Sequence, residues 1–309
     1  MEVTRLGWVF GAENGPDWMV SHAAYPTPIW LNDRHLRVFF VARDGGSRGS
    51  VGWVDLDPQD PTRVINVSET PALQPGVVGT FYDRGISLGS IHRQSDGSLR
   101  MYFLGWNKLA DVPFRNSIGL AICKSGRGNQ FEVVFDGPLV DRSRHDPFNL
   151  SYPYVMQPSF EGSKWHMFYG SSRGAHTDEL NMQHALTEAW SPDGIDWVPA
   201  GKDVILRENG EYGLSRPWVF EVGGFRHMVY SIRRAEYALG WSIWDPLACS
   251  WHRKSADILG LGAGWDSDAT CYPAVIQMGN RTLLFYNGNG YGRTGFGVAE
   301  MKDTEWHRM

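Results

Sequence analysis

The chain has 309 residues, a formal net charge of −5 and only 20% charged residues. That balance leaves no basic footprint for nucleic acid or anionic lipid, and no apolar run approaches the roughly 20 residues of a membrane helix. With 36 glycines, 17 prolines, 14 tryptophans and 13% aromatic residues, the composition excludes disorder, coiled coil and helical bundle and favours short strands joined by tight turns.

The N-terminus, MEVTRLGWVFGAENG, has one arginine and no sustained apolar core. It does not read as a signal peptide, and residues 5–10 read as a strand. A hairpin pattern then recurs along the chain. Its first copy is PIWLNDRHLRVFF, ending at Phe40. SIHRQSDGSLRMYF ends at Phe103, PYVMQPSFEGSKWHMFY at Tyr169, PWVFEVGGFRHMVY at Tyr230 and PAVIQMGNRTLLFY at Tyr286. The intervals are 63, 66, 61 and 56 residues. Each hairpin is followed by a third strand with small residues: RGSVGWVDLD, NSIGLAICKS, NMQHALTEAWSPDGIDW, YALGWSIWDPLACSWHR and GFGVAEMKDTEWHR. Such units cannot bury a hydrophobic face alone, and radial packing protects their edges. The expected fold is all-β: one five-bladed β-propeller over residues 1–309, its last blade completed by the N-terminal strand.

Cys123, Cys249 and Cys271 are odd in number and widely spaced. They fit a reducing, cytoplasmic setting and give no disulfide framework. No HExxH, P-loop, GxGxxG or metal-ligand spacing is present, so no cofactor and no metal are expected.

The segment Ser191-Pro192-Asp193-Gly194-Ile195-Asp196-Trp197 resembles the blade motif of the five-bladed glycoside hydrolase superfamily of arabinanases, β-xylosidases, invertases and mannosyl phosphorylases. SHAAYP (21–26), RVFFVARD (37–44), YDRGIS (82–87), SRPWV (215–219), GWDSD (264–268), CYPAVI (271–276) and FYNGNGYGRTGFGVA (285–299) resemble bacterial glycosidase-like propellers associated with sugar biosynthesis. The resemblance implies a small-molecule carbohydrate or sugar-linked substrate at the mouth of the central channel. It also implies a base Asp in blade one, a supporting Asp in blade two and an acid Glu in blade three. Here blade two keeps Asp83, while His22 stands in the blade-one turn and Ser151-Tyr152 in the blade-three turn.

Residues just before each inner strand should face the channel mouth. Asp83, Asp266, Glu211 and His22 are therefore the candidate catalytic groups, since glycoside hydrolysis usually needs two carboxyl groups. Arg43, Trp106, Asn107, Tyr152, Arg216, Asp268, Tyr272, Asn287, Asn289 and Tyr291 are the candidate substrate-binding residues. Two alternatives stay open: a phosphorylase, with phosphate held by Arg43, Arg216 and His22, and a propeller that binds a sugar or sugar nucleotide without chemistry. Asp193 and Asp196 are expected to shape a turn, and Cys271 is not expected to be a nucleophile.

Overall fold

The computed structural model of the chain describes residues 1–110, 114–172 and 183–302. The expected strand residues 181–182 and the tail of the last copy beyond Lys302 lie outside the described residues. β1 (Glu2–Phe10) precedes the first hairpin and belongs to the last sheet. β2 (Ser21–Asn32), β3 (His35–Arg43), β4 (Gly49–Leu56) and β5 (Val64–Val67) form one antiparallel unit. β6 (Gly85–Arg93), β7 (Leu99–Asn107), β8 (Arg115–Cys123) and β9 (Glu132–Val133) form the next. A single parallel pair, Gly49 with Gly85, joins these two units into one eight-stranded sheet.

Three four-stranded antiparallel sheets follow. The first holds β10 (Leu150–Met156), β11 (Trp165–Ser172), β12 (His184–Ser191) and β13 (Val198–Ile205). The second holds β14 (Gly213–Val222), β15 (Phe225–Arg233), β16 (Ala238–Asp245) and β17 (Ser250–Ser255). The third runs β18 (Cys271–Met278), β19 (Arg281–Asn287), β20 (Phe296–Lys302) and back to β1. The leading strands touch in cyclic order, β2 to β6, β10, β14, β18 and again β2. This is a β-propeller.

Turn chemistry sets the hairpins. Gly223 and Gly224 join β14 to β15 with φ of 60° and 81°, the doubly positive geometry that matches the twist of paired strands. Between β6 and β7, Asp96 Oδ1 accepts the Ser98 amide at 2.9 Å and Gly97 takes φ 84°. The blade motif acts the same way. Asp193 Oδ1 accepts the Ile195 and Asp196 amides at 2.8 and 2.9 Å, and Ser191 Oγ accepts the Gly194 amide. The Gly194 carbonyl in turn accepts the Tyr102 hydroxyl from β7 at 3.0 Å. One motif thus closes a turn and locks two neighbouring sheets together.

The core lies between sheets. Tyr102 and Leu104 of β7 pack with Val155, Met167 and Tyr169 of the following sheet, and Phe40 and Val38 pack with Phe285 and Phe296 across the closure. At that closure β1 pairs with β20 from Glu2–Lys302 to Phe10–Phe296, as the sequence led us to expect. A partly buried ion pair reinforces it: Arg5 Nε donates to Asp266 Oδ2 at 2.8 Å, and Tyr286 donates to the same oxygen at 2.9 Å.

Among the described residues, His22, His92 and His166 are imidazoles whose pKa burial lowers. His92 Nε2 meets Ser90 Oγ at 2.9 Å, with Tyr102 and Tyr154 edge-on. Burial lowers its pKa from 6.5 to about 4. Burial, aided by Arg43 and Arg293, lowers His22 to about 4 as well. A depressed imidazole is neutral in the fold while the unfolded chain takes up protons first. Stability therefore falls as pH drops from about 6.5 towards 4. Melting curves across that window should show the decline, and His92→Gln should flatten it; an unchanged slope would remove His92 as a cause.

Candidate functional site

The leading strand of every unit carries a β-bulge at or before its midpoint. The pairing register slips between Ala24 and Thr27, Leu88 and Ser90, Ser151 and Tyr154, Ser215 and Trp218, and Cys271 and Ala274. The skipped residues are Tyr25-Pro26, Gly89, Tyr152-Pro153, Arg216-Pro217 and Tyr272-Pro273. Proline suits a bulge because it has no N–H to pair. Gly89 is required because a Cβ there would collide with the Pro153 carbonyl of the next sheet.

A bulge re-aims a side chain. Tyr25, Arg216 and Tyr272 take φ of 59°, 49° and 55°, a left-handed backbone that bulky residues rarely adopt. Such outliers persist only where the surroundings hold them. For Tyr25 the holder is Asn287, which accepts the Tyr25 amide at 2.7 Å and donates to the Ala23 and Gly295 carbonyls. The result is a tyrosine cluster at the centre of the ring. Ring centroids of Tyr25, Tyr152 and Tyr272 lie 4.6–5.4 Å apart, and the Tyr152 hydroxyl donates to that of Tyr25 at 3.1 Å. Tyr237 and Tyr291 extend it. Burial pushes the Tyr152, Tyr237 and Tyr272 phenols well above their usual range, so they remain neutral.

This cluster lines a cavity of about 810 Å³. Every sheet contributes to its wall. Arg43 comes from the end of β3, Trp106 from the end of β7, Asn116 from β8, His184 from β12, Ser215 from β14 and Arg233 from the end of β15. Lys108 lies just beyond β7. Among the described residues, no Asp or Glu lines it.

Of the expected binding residues, Arg43, Trp106, Tyr152, Tyr272 and Tyr291 reach the cavity. Asn107, at the end of β7, stays outside its lining. Asn287 positions Tyr25, as above. Asn289 brackets a loop instead: its Oδ1 accepts the Asp268 and Ala269 amides, and its Nδ2 donates to the Gly264 carbonyl. Asp268 belongs to that loop and accepts the Ser267 hydroxyl. Arg216 is 1% exposed and lies beside Tyr25, outside the lining.

None of the four expected catalytic groups lines the cavity. Asp266 is engaged by Arg5 and Tyr286. Glu211 pairs with Arg253, whose Nη1 lies 3.0 Å away, and accepts the Glu208 amide at 2.8 Å. Asp83 accepts the Gly79 amide at 2.8 Å through Oδ2, while its Oδ1 is buried without a partner. His22 contacts Ser21 Oγ at 2.9 Å. Asp146 repeats the Asp266 arrangement, accepting the hydroxyl of Tyr169 at 3.0 Å. Asp146, Glu211 and Asp266 thus turn into their own sheets as staples, while Asp83 holds a loop amide. The Cys271 thiol is fully buried and its pKa is pushed up by that burial, which fits a packing role.

Arg233, Lys108 and Tyr237 were not anticipated. Arg233 had a usable signal. It ends the second strand of its sheet opposite Gly213, as Arg43 ends β3 opposite Ser21 and Trp106 pairs with Gly85.

No family model matches the chain. Among solved structures, a glycoside hydrolase superposes with a TM-score of 0.75 at 16% identity, covering 97% of this chain and 92% of that one. A member of the GH130 family of mannoside phosphorylases, described as containing glycoside hydrolases that target β-1,2 mannosidic linkages in Candida mannan, gives a TM-score of 0.73 at 12% identity. It covers 98% of this chain and 94% of that one. These likenesses show a shared propeller fold. A Mycobacterium tuberculosis relative, "Uncharacterized protein Rv1502", is 35% identical over 303 residues, covering 97% of this chain and 99% of its own length. The chain belongs to the family of that mycobacterial protein, and it shares its propeller fold with the glycoside hydrolase structures above.

Proposed function

We propose that the protein is a glycosidase-like propeller of five blades, a single domain, whose central funnel binds carbohydrate. The two halves of the eight-stranded sheet count as separate blades in this scheme. One observation carries the proposal: an aromatic cavity of about 810 Å³ in which Tyr25, Tyr152, Tyr272 and Trp106 converge from different sheets. Sugars offer C–H faces to aromatic rings and hydroxyls to serine, asparagine and phenol groups, and concave sites of this size suit small ligands. The glycoside hydrolase and phosphorylase propellers of the same fold support the choice of ligand. Binding is favoured over two-carboxylate hydrolysis, because Asp83, Asp266 and Glu211 hold backbone amides or cations away from the wall. The free thiols of Cys123 and Cys249 and the buried Cys271 favour a reducing, intracellular setting.

Titration with a panel of oligosaccharides should give saturable binding that quenches tryptophan fluorescence. Trp106→Ala should weaken it about tenfold, the scale of a lost aromatic anchor. Long incubation should release no product. Product release that Asp83→Asn abolishes, with the fold intact, would instead establish hydrolysis with Asp83 in the site.

A further inference from the structure

We propose that the funnel contains an anion subsite, so that its ligand carries a phosphate or carboxylate group seated on Arg43, Lys108 and Arg233. The sugar part of that ligand rests on the carbohydrate function proposed above; the anion subsite rests on the cations themselves.

Three positive side chains reach one cavity from separate strands, and no described carboxylate lines the wall with them. No ion pair among the described residues involves Arg43, Lys108 or Arg233. The contrast with other arginines is plain: Arg5, Arg37, Arg253 and Arg281 each hold a carboxylate. Like charges gathered in a concave, aromatic-walled space repel one another and focus a positive potential. An anion relieves that repulsion, and guanidinium groups bind phosphate or carboxylate through paired N–H donors.

Arg216 is an independent pointer. It is 1% exposed, and only its Nη2 is satisfied, donating to the Pro26 carbonyl and Thr27 Oγ1 at 2.9 Å. Its Nε and Nη1 are buried without partners. It stacks 5.8 Å from the Tyr25 ring, which lines the cavity. An unpaired buried charge is costly, and native proteins rarely keep one without a purpose. Held beside Tyr25, whose ring lines the cavity, it adds a fixed, buried positive charge behind that part of the wall. The Tyr152 hydroxyl donates to that of Tyr25, which leaves the Tyr25 O–H, on the cavity wall, as a donor to the same anion.

The test is calorimetric titration of the full chain with glucose, glucose 1-phosphate, glucuronic acid and inorganic phosphate, at low and high salt. At least one anionic probe should bind ten times more tightly than glucose and weaken as salt rises. Lys108→Gln, at an exposed position, and Arg233→Gln should each weaken that probe at least fivefold, with melting temperatures recorded alongside. Preference for the phosphorylated probe identifies a phosphate subsite, and preference for the uronate a carboxylate subsite. Binding of inorganic phosphate with no gain from any sugar would sustain the anion subsite and overturn the carbohydrate function. Glucose binding as tightly as its anionic counterparts would overturn the anion subsite and leave the carbohydrate function standing. Anion binding unmoved by both substitutions, or no binding of any probe, would also overturn the anion subsite.

Discussion

Asp266→Ala should destabilise the protein by about 3 kcal/mol, the lower end of the cost of breaking a buried ion pair by removing one partner. The lower end applies because Asp266 is almost wholly buried while the Arg5 side chain is about one-third exposed. The loss strands Arg5, which also donates to the Gly260 carbonyl at 2.7 Å, and frees the Tyr286 hydroxyl. These contacts sit where β1 closes the ring on β20, so the damage should spread to the closure. Thermal melting should drop by several degrees, and hydrogen exchange should quicken in β1 and β20 before other strands. Asp266→Asn, which keeps the size and loses the charge, should cost less. A catalytic Asp266 would behave oppositely: turnover would vanish while the melting temperature and the exchange pattern stayed put.

Arg216→Met should leave the unfolding free energy unchanged or raise it, while weakening the funnel ligand at least tenfold. Burial lowers the Arg216 pKa to about 10, which reflects how poorly the fold solvates this charge. Replacing a buried charge by an apolar side chain of similar length is often neutral or stabilising. Methionine forfeits the hydrogen bonds to Pro26 and Thr27, which offset part of the gain. A stability rise paired with lost affinity is the signature of a group retained for function. Melting curves and ligand titration on the same variant measure both. If Arg216→Met unfolds the protein, Arg216 is a bridge between β14 and β2 and its unpaired nitrogens carry no functional meaning.

The propeller was legible because its signals are local and repeat. Hairpins of similar length, Gly-rich turns and a Ser-x-Asp-Gly motif are read within a dozen residues, and their recurrence at about 61 residues implies radial stacking. The completion of the last sheet by β1 followed from counting strands. Five of the ten expected binding residues reach the cavity, two of them, Tyr152 and Tyr272, from X-Pro pairs that mark the leading strands. The expected carboxylates lie outside the cavity wall for a physical reason. Position before an inner strand is a linear property, but side-chain direction depends on what lies across the sheet. Asp146 and Asp266 turn to tyrosine hydroxyls on the second strands of their own sheets, and Glu211 turns to an arginine on its fourth.

By itself, the sequence determined the architecture, the turn chemistry and the strand ends from which a site could be built. Only the tertiary structure decided which groups share the funnel. Arg43 and Arg233 lie 190 positions apart, and no local pattern relates them. Their meeting depends on the leading strands closing into a ring, which brings the ends of β3 and β15 to one cavity. Bulges respond to the packing of neighbouring sheets, as Gly89 beneath the Pro153 carbonyl illustrates. That is why the tyrosine cluster and its surrounding cations emerge only when the sheets are assembled.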